Sequence, residues 1–426
     1  MKESNWQIEH NCPQCGAPVI LDAADRILLC PYCRTKIYLV TGDHFRYYIP
    51  PPDPKSTDTI FVPYWRMKGL SYAVEGNAVS HRFVDTNMLA MNWRGIPLSL
   101  GMRPQVFKLK FVSPDTSGKF IDAQTPLQES IISTVNIVSS VSEQIFVSSG
   151  SVALPPPSPR FYTAFLGEMV SMIYSPLYAA NNMLCDSLLK RPVCKLQTAD
   201  MDRLLASVRP QNWKIQFIST LCPQCGWNLE GEKDTLIMIC RNCSSAWSCH
   251  GNSFKKVDFA IMKGVGEIVQ YLPFWKMKAR IEEIKLDSYA DLIRVGNLPK
   301  AVTSAFEGKP LFFWSPAFKV NAALFLRLAR QMTISQPEGK TGSALSGISL
   351  CPANLAIGEA EEFIKITIAD IVSNKRKIFP LLSQIRITLE DFQLVYHPFI
   401  ESHNELIHAN MRLSFDKKSL TYGSNL

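Results

Sequence analysis

The 426-residue chain is 46% hydrophobic and 19% charged, the profile of two or three well-cored domains rather than of a disordered polypeptide. Its formal charge of +8 invites a nucleic-acid reading, which only a clustering of those charges would sustain. No window reaches the ~18 uninterrupted apolar residues of a membrane helix, and Met1-Lys-Glu-Ser does not open a signal peptide, so a cytoplasmic location is expected.

In chain order, Asn5-Trp6-x-Ile8 leads into Cys12, Cys15, Cys30 and Cys33, two Cys-x2-Cys pairs separated by fourteen residues. Each short pair makes a tight turn whose sulfurs point the same way, so four thiolates can close a tetrahedron around one ion. Gly16 follows the first pair, where such a turn needs positive φ. Ile27-Leu-Leu reads as a short strand feeding the second pair. Pro50-Pro-Pro-Asp-Pro54 then breaks the chain ahead of Phe61-Val-Pro63-Tyr-Trp65-Arg-Met-Lys68, a strand whose internal proline points to an edge position or a bulge. Alternation between Arg103 and Val112 predicts another strand. Pro126 to about Val141 predicts a helix with Thr125 as N-cap, and Pro155-Pro-Pro-Ser-Pro159 a surface loop. The most apolar stretch, Phe161 to Leu184, is interrupted by Glu168 and Pro176 and contains Ile173-Tyr174-Ser-Pro176-Leu177. A short helix ends near Ala206.

The pattern then starts again. Asn212-Trp213-x-Ile215 precedes Cys222, Cys225, Cys240 and Cys243, each shifted by 210 residues from its first-half counterpart, and both sets open Cys-Pro-Gln-Cys-Gly. Leu236 to Ile239 repeats the short apolar strand. Tyr271-Leu-Pro273-Phe-Trp275-Lys-Met-Lys278 matches the earlier proline–tryptophan strand, again at offset 210. An amphipathic helix is expected from Asn321 to Met332, and the counterpart of the first-half helix from Gly358 to Ser373. Val395-Tyr396-His-Pro398-Phe399 matches the segment at Ile173. Offsets between 202 and 222 are what loop insertions produce. The expected architecture is α+β with more strands than helices, a tandem duplication of a ~210-residue unit. Its parts would be a zinc ribbon at 1–45, an α+β domain at 46–205, a second ribbon at 206–255 and a second α+β domain at 256–426.

Four cysteines leave no coordination position for water, so a metal held by either set would be structural and not a Lewis acid. Zinc is the expected ion, two per chain; iron comes second, because the Cys-Pro-x-Cys-Gly knuckle serves both. Cys30-Pro-Tyr-Cys33 is also the active-site tetrapeptide of glutaredoxin-like proteins, but redox use needs a following helix to lower the thiol pKa, and Ile37-Tyr-Leu-Val40 favours a strand. His44 and His250 lie beyond complete cysteine sets and read as packing or surface residues. His397, His403 and His408 cluster late in the chain without a metal motif. Cys185, Cys194, Cys249 and Cys351 read as small buried residues. Eight of the twelve cysteines stand in metal-type pairs, a usage suited to a reducing compartment.

A zinc bound by four thiolates carries −2, so two such sites bring the net charge to about +4. From Cys12 to Val40, three basic residues face two acidic ones; from Cys222 to His250, two basic residues face three acidic ones. Neither segment has the Lys/Arg cluster of a phosphate-binding face.

About 30 residues in each half, carried by the eight cysteines, resemble rubredoxin-like and transcription-factor-IIB-type zinc ribbons. With the proline–aromatic–Trp strand behind them, they also look like uncharacterised bacterial zinc-ribbon proteins. The resemblance implies a metal and a local fold. Arg34 and Ser244 depart from it, standing where a glycine usually follows the second pair. The leading expectation is a non-enzymatic scaffold or adaptor with two structural zinc ribbons that binds other proteins. The second is a nucleic-acid-binding accessory protein using the ribbons and Lys375-Arg-Lys377. The third is an enzyme with a site between the halves, although no catalytic residue can be named.

Overall fold

The structure, a computed structural model, describes residues 6–101, 106–133, 159–195, 197–345 and 347–423. It is a mixed α/β, strand-rich protein in two compact units. The first comprises Met1–Lys68, Val84–Leu154 and Gly167–Ser219; the second comprises Gly69–Phe83, Pro155–Leu166 and Thr220–Leu426.

The first unit is built from β1 (Gln7–Asn11), β2 (Pro18–Asp22), β3 (Ile27–Leu29), β4 (Lys36–Val40), β5 (Phe45–Tyr48), β6 (Ile60–Glu75, as far as Lys68), β7 (Ala78–Leu89, from Val84), β8 (Leu109–Phe111), β9 (Lys119–Phe120), β10 (Arg160–Ala180, from Gly167), β11 (Met183–Asp186), β12 (Pro192–Lys195) and β13 (Gln216–Ser219). The order β12-β11-β10-β5-β8-β1-β2 runs across its main sheet, with β6 pairing to β10, β7 and β9. A separate small sheet has the order β13-β4-β3. The apolar stretch noted from Phe161 to Leu184 is mostly the long strand β10. It turns at Asn181 and Asn182, both left-handed (φ 49° and 57°), into β11, the backbone that a two-residue hairpin requires. Ile8, Val19, Leu21, Leu28 and Leu39 from the cysteine-bearing strands join Phe45, Val62, Leu109 and Ile173 in one core.

The second unit contains β14 (Ile237–Cys240), β15 (Ser245–His250), β16 (Ser253–Val257), β17 (Phe259–Met262), β18 (Gln270–Ile281), β19 (Phe313–Pro316), β20 (Thr341–Gly342), β21 (Ile387–Ser402), β22 (Glu405–His408) and β23 (Ser414–Asp416). Its main sheet runs β19-β18-β21-β17-β20, with β22 on β21 and β23 on β22. Two helices cover this sheet, Ala322–Ser335 and Ile357–Ile371, and meet through the edge-to-face rings of Phe325 and Phe363. Asn321 caps the first of them, its side-chain oxygen accepting from the Leu324 N–H. Both expected helices are therefore present, displaced by one residue at their starts and by two or three at their ends. Tyr72 and Val74, on the β6–β7 hairpin, belong to the core of this second unit.

The pairing registers of the two units repeat one another. Ile27 faces Tyr38 as Ile237 faces Ser248. Tyr48 runs parallel to Tyr174 as Ile261 does to Tyr396. Leu177 faces Asp186 as Phe399 faces His408. Phe61 bridges in parallel to Phe120 as Tyr271 bridges to Leu350.

The proline-bearing strands correct an expectation. Pro273 occupies neither an edge nor a bulge, for β18 is flanked by β19 on one side and β21 on the other. The reason is local. The Pro273 carbonyl accepts from Ala317 N (2.9 Å), while the Ala317 carbonyl, which an N–H at 273 would have claimed, accepts from Asn354 and Leu355 (2.8 and 3.2 Å). No ladder bond is lost to the missing N–H. Pro63 has the same solution: its carbonyl accepts from Ala90 (2.9 Å), and the Ala90 carbonyl accepts from Gln124 and Thr125 (2.8 and 3.0 Å). Trp65 Nε1 then donates to the Thr125 carbonyl (2.8 Å) and Trp275 Nε1 to the Leu355 carbonyl (3.0 Å). Both indoles are buried, as expected of packing residues. The strand expected from Arg103 to Val112 is shorter, starting only at Leu109; residues 102–105 lie outside the description. Of the helix expected from Pro126, residues 127–133 are helical and the remainder lies outside the described residues, as does most of the Pro155–Pro159 loop.

Candidate metal centres

Each cysteine pair sits at a hairpin turn, because a Cys-x2-Cys knuckle closes on its own backbone. In the first ribbon the Gly16 N–H donates to the Cys12 carbonyl (2.8 Å) and the Cys12 N–H to the Ala17 carbonyl (2.8 Å). The second ribbon repeats this with Gly226 to Cys222 (2.8 Å) and Cys222 to Trp227 (2.7 Å). Gly16 and Gly226 both have φ of 72°, the left-handed value that the spacing demanded. After the second pair of each set, Arg34 (φ 61°) and Ser244 (φ 49°) adopt the same conformation without being glycine. The knuckle thus forms despite that departure, at a backbone cost of roughly 1–2 kcal/mol.

All eight predicted ligands converge. Within each set the four sulfurs lie within 4.8 Å of one another. Cys12 and Cys33 Sγ are 3.7 Å apart, Cys15 and Cys30 3.7 Å, Cys222 and Cys243 3.6 Å, and Cys225 and Cys240 3.4 Å. A tetrahedron with metal–sulfur bonds of about 2.3 Å has edges of about 3.8 Å, whereas a disulfide would bring two sulfurs to about 2.05 Å. The donor sets therefore fit a tetrahedral thiolate-bound ion, and all eight thiols are unbridged. Cys12, Cys30, Cys222 and Cys240 are buried, while Cys15, Cys33 and Cys225 face solvent.

Two residues beside the ligands were not anticipated. Thr35 Oγ1 lies 3.2 Å from Cys33 Sγ, and Ser245 Oγ lies 3.0 Å from Cys243 Sγ. They are 210 residues apart, so the offset could have revealed them, but Thr and Ser in a turn carry no signal of their own. Ser245 accepts the indole N–H of buried Trp247 (2.8 Å), which leaves its own proton for the neighbouring sulfur. Thr35, first by its hydroxyl and then by its backbone N–H, draws the Cys33 thiol down to about 6. The Asn242 side chain and the Trp227 backbone do the same for Cys225, also to about 6. These hydrogen bonds favour the thiolate, the form that binds a metal, at those two ligands, while desolvation and the neighbouring thiols push Cys15 and Cys240 up to about 12. Ser245→Ala is expected to weaken metal retention at the second site about tenfold in a chelator competition, the usual effect of losing an outer-shell partner. Unchanged retention would make Ser245 a packing residue only.

The second ribbon is fastened to the body of its unit by polar contacts. Arg241 donates to the carbonyls of Leu345 (2.9 Å) and Ile348 (3.2 Å), Lys319 Nζ pairs with Asp234 (2.6 Å), and the Ala353 carbonyl accepts from Leu236 and Ile237.

The remaining sequence candidates separate. His403 and His250 are exposed, and His44 packs edge-on against Trp65 with ring centroids 4.7 Å apart. His397 and His408 do meet, Nδ1 to Nε2 at 2.9 Å and both buried. The Asn410 N–H donates to His408 Nδ1 (3.1 Å), so His408 must carry its proton on Nε2 and donate it to His397. His397 then carries its proton on Nε2, against the rings of Phe274 and Trp314. A neutral pair in this arrangement is a buried structural bond. Burial pushes Cys351 up to about 12 and Cys249 to about 11, away from nucleophilic use.

Among the described residues no helix is long and apolar enough to cross a membrane. Comparison with known protein families, with curated proteins and with solved structures finds no match for this chain.

Proposed function

We propose that this protein is a non-catalytic scaffold, a tandem duplication of a unit of about 210 residues, whose two four-cysteine ribbons each hold one structural zinc ion and which works by binding other proteins. The observation that carries the reading is the closure of both cysteine sets: every ligand is a protein thiolate, so neither ion would have a position left for substrate or water. The shared registers, and the matching hydrogen bonds around Pro63 and Pro273, support the duplication. Beside exposed charges of both signs (Arg34, Glu230, Lys233, Arg241), the ribbons expose the large apolar or aromatic side chains Ile20, Leu29, Tyr32, Leu221 and Trp227, which suits a protein partner better than a phosphate backbone. In the basic run at 375–377, Lys375 already donates to the Asn77 carbonyl (2.8 Å). Free thiols and closed metal sets fit a reducing compartment such as the cytoplasm.

Metal analysis of the purified protein should give two zinc ions per chain. One ion or none would overturn the two-site reading, and a red sample absorbing in the visible would replace zinc by iron. On heparin or DNA columns, retention should be weak and change little with salt. A steep fall in retention with rising salt would transfer the proposal to nucleic acid.

A further inference from the structure

We infer that the two metal sites are coupled through β13, so that loading either one tightens the hold of the other. The inference rests on the reading of both cysteine sets as metal sites.

Strand β13 is the last segment before the second ribbon, yet it completes the sheet of the first. Gln216, Phe217, Ile218 and Ser219 pair antiparallel with Val40, Leu39, Tyr38 and Ile37 of β4. In the second ribbon the same place beside β15 is filled locally by β16, folded back at Gly251. The first ribbon thus takes from a distance of nearly 180 residues what the second supplies itself. The preceding segment is fixed to the same surface. Gln211 accepts from Arg46, Trp213 Nε1 donates to Thr41 Oγ1 (3.0 Å), and the Trp213 ring lies over Phe111.

This strand touches the approach to one metal set and leads into the other. The Phe217 ring stacks on His10, centroids 5.2 Å apart and planes 19° apart, and His10 stands two residues before Cys12. On the other side, only Thr220 and Leu221 separate β13 from Cys222. An ion in the first set fixes the β3–β4 hairpin and with it the edge on which β13 docks. An ion in the second set fixes Cys222 and leaves the end of β13 a two-residue tether. Ordering backbone costs conformational entropy, so whichever site is loaded first has already ordered part of what the other must order. Linkage makes the effect mutual.

The test is a competition titration of the full chain with a chromophoric zinc chelator. A Cys222→Ser, Cys225→Ser variant, which keeps the first set intact, should hold zinc there about five- to tenfold more weakly than wild type, within the usual range of site coupling. Hydrogen exchange should rise at 216–219 and at 37–40. A six-residue Gly/Ser insertion between Ser219 and Thr220 preserves both sets and should abolish the difference, giving two independent sites. First-site affinity within twofold of wild type in the cysteine variant would overturn the coupling. Should that variant fail to fold, the insertion decides alone: cooperative loading that survives it overturns the coupling. In either case a wild-type stoichiometry of two would leave the metal reading standing, and a lower one would remove it.

Discussion

Replacing Cys12 and Cys15 by serine should unfold the first ribbon while leaving the second unit's body intact. About 30 residues cannot bury enough apolar surface to fold alone, so the order of the ribbon comes from its ion and from packing on its neighbours. Structural zinc in small ribbon-like domains contributes about 10–16 kcal/mol of binding free energy that is also folding free energy. Here the loss reaches beyond the turn. Trp6, Ile8, Val19, Leu21, Leu28 and Leu39 lie in the first unit's core beside Phe45 and Val62. Their release should cost that unit at least as much as truncating a large core side chain, about 3–5 kcal/mol, and lower its melting temperature by on the order of 10 °C. The second ribbon keeps Arg241, Lys319 and the Ala353 carbonyl as anchors. It should lose only the modest metal affinity that β13 transmits. Hydrogen exchange across residues 6–48 checks the outcome. Wild-type protection there in the double variant would show that the ribbon does not depend on its metal.

Acid should destabilise the second unit well before its carboxylates protonate. Burial lowers His408 to about 4, and desolvation lowers His397 further below its ordinary value, with His408 and Lys276 adding to the effect. Both groups are neutral in the folded state and free to protonate near 6.5 once unfolded. The unfolded chain therefore binds more protons below 6.5. The pair's stabilisation is complete above that pH and is lost progressively as the pH falls towards 4. For His408 alone the loss approaches about 3 kcal/mol, and His397 adds to it with the same sign. Denaturant melts of wild type and of a His397→Gln, His408→Gln variant, compared between pH 7 and pH 4.5, separate this from protonation of the metal thiolates, which both proteins share. Equal pH dependence in the two would remove the histidine pair as the cause.

The parts of this fold that could be read from the chain are those fixed by short covalent spacing. A Cys-x2-Cys knuckle closes through its own backbone, so Cys12 to Cys33 and Cys222 to Cys243 announced both sites. The proline–tryptophan strands were legible as strands, but the location of Pro273 between two neighbours was not. That depends on which carbonyl Asn354 and Leu355 engage, some 80 residues away. The donation of β13 was hidden for the same reason. Gln-Phe-Ile-Ser is an unremarkable approach to a ribbon, and nothing local in it indicates a partner at Ile37 to Val40. His397 and His408 attracted notice by proximity in sequence, yet it is the register of β21 on β22 that turns two of three neighbouring imidazoles inward and leaves His403 at the turn. Pairings over long loops are selected by the whole sheet and leave little trace in composition.

The division into two units does not follow chain order. Residues 69–83 and 159–166 fold with the second unit although they are embedded in the first-half sequence, and 216–219 fold with the first although they adjoin the second ribbon. No single break in the chain therefore separates two complete units. A break after Ser219 strips the second of its two inserted segments, and a break near 205 also strips the first of its ribbon's third strand. Expressing either unit alone would therefore take more than one cut, with the excluded segments rejoined by designed linkers.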